Sequence, residues 1–107
     1  MDEKISVLQF KTNGEWGILE IRNTLGALQE AVGGYIEITP MFNGVGIIYD
    51  DGRFKGKKKN PYLTDIWGDF IVCGISDGEP RSLSYDEKKI MAVLLCGGYE
   101  FARKGVL

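Results

Sequence analysis

Within the stretch from Ile66 to Ile75, the residues Phe70-Ile71-Val72-Cys73 form an unbroken apolar run. A strand with one wet face would alternate apolar and polar residues, so a continuous short run of this kind predicts a strand covered on both sides. Two helices and several strands can be placed around it. Upstream, Ile5 to Phe10 and Trp16 to Ile21 flank Asn13-Gly14, a hairpin-type dipeptide, and are expected to pair. In the second of these strands Trp16 and Ile18 fall on one face, with Leu19 and Ile21 mostly on the other. Asn23 or Thr24 can cap a helix through a side-chain oxygen. Leu25, Leu28 and Val32 recur at helical spacing, and Gly33-Gly34 can end the helix in a left-handed conformation.

Strand character resumes at Tyr35 to Thr39, with Ile36 and Ile38 on one face and Pro40 at its end or its edge. Val45 to Asp50 follows Asn43-Gly44 as another strand. Asp51-Gly52 is a strong hairpin signal, predicting a short return strand at residues 53–55. Residues 56–64 keep no period and read as a basic loop. Downstream, Ser84-Tyr85-Asp86-Glu87 has the form of a capping box, with acid in the positive first turn of a second helix. Ile90, Met91, Val93, Leu94 and Leu95 continue that helix until Gly97-Gly98, and residues 99–107 read as an edge strand or a tail. The expected architecture is one α+β domain over residues 1–107: a small, mostly antiparallel sheet of five to six strands with two short helices.

Composition agrees with one globular domain. The chain has 107 residues, 44% hydrophobic and 26% charged, close to the averages for soluble proteins. A domain of this size buries roughly two thirds of its unfolded surface, enough for one core without a metal. Glycine, at 15 residues, is about twice its usual ~7% and points to short elements joined by many turns. No stretch approaches the ~20 apolar residues of a membrane helix. Met1-Asp2-Glu3-Lys4 does not open a signal peptide, so a cytoplasmic location is expected. Cys73 and Cys96 sit in apolar runs and read as core thiols, a buried disulfide being the lesser alternative.

The same counts argue against catalysis. Histidine is absent, which removes the commonest general base and the commonest metal ligand. Ser6, Ser76, Ser82 and Ser84 have no imidazole to activate them, and the cysteines lack an electropositive, exposed setting. Asp50-Asp51 and Asp86-Glu87 lie at a turn and a helix start, where structure alone accounts for them. Asp65 and Asp69 are a weak signal for a divalent cation. No catalytic residue, no metal and no cofactor is expected.

Charge and aromatic residues carry the binding hypothesis. Residues 1–50 hold three cations (Lys4, Lys11, Arg22) against seven acids, whereas residues 53–59 hold Arg53, Lys55, Lys57, Lys58 and Lys59 with no acid. Such a segment can meet phosphate, or it can be a solvated hairpin whose lysines protect a sheet edge. It fails the Walker template, which needs four residues between the glycines, Ser or Thr after the lysine, and a following helix. Tyr62 and Trp67, flanking Pro61 and Gly68, are the aromatics expected to be exposed, where a planar base could stack. The expected ligand-binding set is Arg53, Lys55, Lys57, Lys58, Asn60, Tyr62 and Trp67. With a formal charge of −2, the acidic body would repel a nucleic-acid backbone.

Several stretches together resemble a known family. They are Asn23-Thr24-Leu25, then Leu28 through Glu37 with its Val32-Gly33-Gly34, then Asp51-Gly52-Arg53-Phe54-Lys55-Gly56 followed by Asn60. Gly68-Asp69-Phe70-Ile71-Val72-Cys73-Gly74 and Ser82-Leu83-Ser84 complete the order. The chain is similar to domain of unknown function family 3846, small proteins of phages, plasmids and integrative elements. Related sequences often have an acidic residue before a Gly-Lys-Leu strand turn, where this chain has Arg53-Phe54 and three consecutive lysines. The resemblance implies no activity. It implies a mobile-element setting, in which small non-enzymatic proteins counter host defence by sequestering a nucleotide signal or by blocking a host protein. The expected partners are therefore a phosphorylated, nucleotide-like ligand or a host protein, with self-association through sheet edges or helices.

Overall fold

A computed structural model describes residues 3–51, 57–63 and 65–96. Its elements run β1 (Lys4–Phe10), β2 (Trp16–Arg22), α1 (Leu25–Val32), β3 (Ile36–Phe42), β4 (Val45–Asp50), β5 (Phe70–Ser76), β6 (Glu79–Arg81) and α2 (Tyr85–Cys96). The strands form one sheet in the order β2-β1-β5-β4-β3, with β6 also on β5, and every pairing is antiparallel. This is a small, antiparallel α+β sheet with two helices, as the sequence predicts, and its six strands lie within the expected five to six.

β5 lies at the centre, and its first five residues are all buried. Alternate side chains enter two separate cores. Leu8, Phe10, Val45, Ile47, Phe70 and Val72 point to one face, where Ile66, Leu83 and Met91 cover them. Ile5, Val7, Ile48, Ile71 and Cys73 point to the other, beneath Leu28 and Val32 of α1. Each such large apolar side chain contributes about 1.5–3 kcal/mol on full burial, so the two cores together outweigh any single polar contact. On the first face Phe10 stacks with Phe70 at 5.1 Å and with Trp16 at 5.9 Å.

Local punctuation works as expected at both helices. Thr24 is the cap of α1, its hydroxyl accepting from the Ala27 amide at 3.2 Å, and Gly33 closes the helix at φ 79°. Leu25 sits 60% exposed, so the packed stripe of α1 is Leu28 and Val32, with Ala31 beside them. At α2 the capping box closes in both directions: the Glu87 amide donates to Ser84 Oγ at 3.1 Å and the Ser84 amide to Glu87 Oε1 at 2.9 Å. The residues after Cys96, and the return strand expected at residues 53–55, lie outside the described residues.

Three local findings refine the expectation or add to it. β3 continues beyond Thr39 to Phe42, tolerating Pro40 because it is a sheet edge, with a register shift between Pro40 and Phe42. β6 has no apolar pattern and contains Pro80; Arg81 holds it. The Arg81 guanidinium donates to Gly44 O at 3.0 Å, Ser82 O at 2.8 Å and Ser76 Oγ at 3.0 Å. It also forms a two-pronged pair with the Glu87 carboxylate at 2.9 and 3.0 Å, tying α2 to the sheet. Gly74 is required beneath it, since a Cβ there would strike the Arg81 side chain. The Arg81 hydrogen bonds hold the Glu87 carboxyl well below its ordinary range, at about 2. Finally, the cysteines form no disulfide with each other and belong to opposite faces, Cys73 buried under α1 and Cys96 half-buried on the α2 side. Burial pushes the Cys73 thiol up to about 12.

Candidate ligand-binding site

The chain from Lys57 to Trp67 folds back on itself as a loop at one corner of the sheet. Its base is a short antiparallel bridge between Lys59 and Trp67, with the Asn60 amide donating to Ile66 O at 2.8 Å and the Gly68 amide to Lys58 O at 2.8 Å. Asn60 locks this loop. Its side-chain amide donates to Phe10 O at 3.1 Å and Gly68 O at 3.0 Å, while its Oδ1 accepts from the Tyr62 amide at 2.9 Å. With 0% exposure, Asn60 is a structural organiser with no surface to offer a ligand.

Lys57 is likewise turned inward. Its ammonium pairs with the buried Asp50 carboxylate and donates to Gly33 O at 2.9 Å and Val32 O at 3.3 Å. These carbonyls end α1, where the helix dipole favours a cation. The lysine stem runs past Gly33 and Gly68, both at positive φ, and a side chain at Gly34 would collide with Asp50. Val32-Gly33-Gly34, the acidic end of β4 and Gly68 therefore meet around one part-buried ion pair. Two of the stretches that carry the family resemblance, Val32-Gly33-Gly34 and the one that begins at Gly68, are thus adjacent in space for a reason of packing.

On the α2 side of the sheet a cleft of about 990 Å³ opens between the β3–β4 surface and the outer wall of this loop. Tyr49, Tyr62 and Trp67 supply its aromatic surface, and Ile47, Leu63 and Ile66 are among its apolar lining. Thr39 and Tyr49 join hydroxyls at 2.9 Å along one wall. Lys59 stands with its ammonium 5.3 Å from the centre of the Trp67 ring, and Asp65 is the acid on the same loop. This size lies at the upper end of the range for small-molecule sites, and its lining mixes apolar side chains with Thr39, Asp50, Lys59 and Asp65.

The expected binding residues thus separate. Tyr62 and Trp67 share the cleft, both half-buried instead of exposed, because the Tyr62 ring packs edge-on against Phe10 at 5.0 Å and its hydroxyl donates to Gly14 O. Lys57 and Lys58 instead line a smaller hollow of about 280 Å³ beside the end of α1, together with Glu30 and Asp69. Arg53 and Lys55 lie outside the described residues. Lys59, Tyr49 and Thr39 are cleft residues that the expected set omitted. Alternation in β4 marks Tyr49 as sharing a face with Ile47, the one available signal; for Lys59 against Lys57 no sequence signal exists.

Residues 5–95 match the family model described as Domain of unknown function (DUF3846). The chain belongs to that family. The match spans β1 to the last turn of α2, so the sheet, both helices and the 57–67 loop all fall within the family's domain. No curated protein and no solved structure matches the chain. Among the described residues no helix is long and apolar enough to cross a membrane, and no group of three or more acids or cysteines gathers to hold a metal ion.

Proposed function

We propose that this member of the family is a non-enzymatic binding protein that takes a planar, nucleotide-derived ligand in the cleft between β3–β4 and the 57–67 loop. The carrying observation is the convergence of Trp67, Tyr62 and Tyr49 with the Lys59 ammonium in one concave site. A base stacked on Trp67 would gain about 1–3 kcal/mol, and Lys59 would meet an attached phosphate. Arg53 and Lys55 enter this reading through their charge and place in the chain only. In the mobile-element setting implied by the family, capture of such a molecule would act as a sponge for a host defence signal.

Calorimetry against cyclic mononucleotides, cyclic dinucleotides and ADP-ribose derivatives tests the reading. Binding of at least one, weakened about tenfold or more by Trp67→Ala and also weakened by Lys59→Met, is the expected result. Absence of heat with every nucleotide at high protein concentration refutes it. A second reading, docking to a host protein, draws on Ile90, Val93 and Leu94, which stand 52%, 40% and 60% exposed along α2. A stoichiometric host partner lost on Leu94→Asp but kept by Lys59→Met would favour that alternative.

A further inference from the structure

The contact between Lys59 and Trp67 is imposed by the backbone. At the base of the 57–67 loop the Asn60 amide donates to Ile66 O and the Gly68 amide to Lys58 O, both at 2.8 Å. Lys59 and Trp67 therefore face each other as a non-hydrogen-bonded antiparallel pair. In such a pair the Cα atoms approach to about 4.5 Å and the side chains lie closest. Asn60, next in the chain, is fully buried and donates to Phe10 O and Gly68 O, which fixes the pair to the corner of the sheet. The result is an ammonium 5.3 Å from the centre of the indole ring, inside the ~6 Å reach of a cation–π contact.

Both side chains line the cleft, so a ligand base stacking on Trp67 competes with this ammonium for the ring. A cation over an exposed aromatic face is favoured by a factor of only about two to five, weak enough to be displaced. Displacement still counts against a ligand that offers the ammonium nothing in return, and a bare nucleoside is such a ligand. A nucleotide brings a phosphate, to which the flexible lysine stem can carry its charge.

We propose that Lys59 is the specificity-determining residue of the cleft. In the unliganded protein it covers the Trp67 ring, and it moves onto the phosphate as a nucleotide base takes its place. The cleft then admits phosphorylated ligands over their nucleosides, through a penalty on the wrong ligand as well as a contact with the right one. This rests on the reading of the cleft as a nucleotide site and adds the order of affinities within it.

Nuclear magnetic resonance of the full chain tests the two parts separately. Without ligand, the Lys59 ε-methylene protons should be shifted upfield by the indole ring, and Trp67→Leu should remove the shift. Unshifted protons in the wild-type protein overturn the proposal, whatever the cleft binds. Titrations then compare adenosine and guanosine with their cyclic monophosphates. Lys59→Met should tighten the nucleosides about two- to fivefold while weakening the cyclic monophosphates, reducing the preference about tenfold. Lys59→Arg keeps a cation that both stacks on rings and meets phosphate, and should retain the wild-type order. Nucleosides left unchanged or weakened by Lys59→Met overturn the selectivity while leaving the cleft a nucleotide site. Failure of all four ligands to bind wild type and variant alike overturns that reading, and the selectivity falls with it.

Discussion

Lys57 and Lys59 are two residues apart in the same basic run, yet the fold uses them in opposite ways. Lys57 is drawn into the protein, where Asp50 and the last carbonyls of α1 surround its ammonium. Lys59 stays exposed over Trp67 at the mouth of a cleft. The inward half of the loop, Lys57 and Asn60, stabilises the corner; the outward half, Lys59 and Trp67, forms part of the cleft wall. A run of like charges is therefore not one functional unit. Each ammonium takes the role set by the carboxylate, carbonyl or ring that the backbone brings near it.

The contrast is sharpest at Asn60. Asn60→Ala strands the carbonyls of Phe10 and Gly68 and the amide of Tyr62 in a buried setting, and should cost about 4 kcal/mol in chemical denaturation. A loss under about 1 kcal/mol would mean that the loop is held by its backbone bridge alone. Lys57→Met should follow at about 3 kcal/mol, the lower end for a broken buried pair because the lysine side chain is 22% exposed. Lys59→Met, by comparison, should change stability by no more than about 0.5 kcal/mol while weakening ligand binding. Equal stability losses for the two lysine variants would erase the distinction between an inward Lys57 and an outward Lys59.

The other polar tie, Arg81 to Glu87, offers a control with a pH signature. The folded Glu87 carboxyl titrates at about 2 against an ordinary 4.5, so its contribution is complete above the unfolded value. It is lost as pH falls through the folded one. Wild-type stability should decline over that interval, and Glu87→Gln should flatten the decline. The smallest expected effect concerns the thiols. At pH 8 an alkylating reagent should label the half-buried Cys96 before Cys73, whose thiol is buried and neutral. Faster labelling of Cys73 would show that α1 opens readily from its face of the sheet.

Much of the architecture was readable one segment at a time. The β1–β2 hairpin, the Thr24 and Ser84 caps, the Gly33 terminus and the doubly covered β5 are each governed by residues within a few positions of one another. β6 was not readable, since Glu79-Pro80-Arg81 has no pattern of its own and is kept in place by partners as distant as Gly44. The candidate site was legible in part. Its aromatics Tyr62 and Trp67 stood out as ring residues in irregular chain, whereas Asn60 was grouped with the ligand-binding residues because nothing local marks the three backbone partners that close around it.

Short-range chemistry, then, was sufficient for strands, caps, turns and the surplus of cations after β4. Which of those cations is neutralised, which face of the sheet each cysteine joins and where a cleft opens were settled by tertiary packing alone. Hydrogen-bond geometry and φ preference act between near neighbours and leave a trace in the local pattern. The choice of an ion-pair partner depends on which distant groups share a corner of the folded chain, and Lys57 finds Asp50 and α1 there while Lys59 finds Trp67.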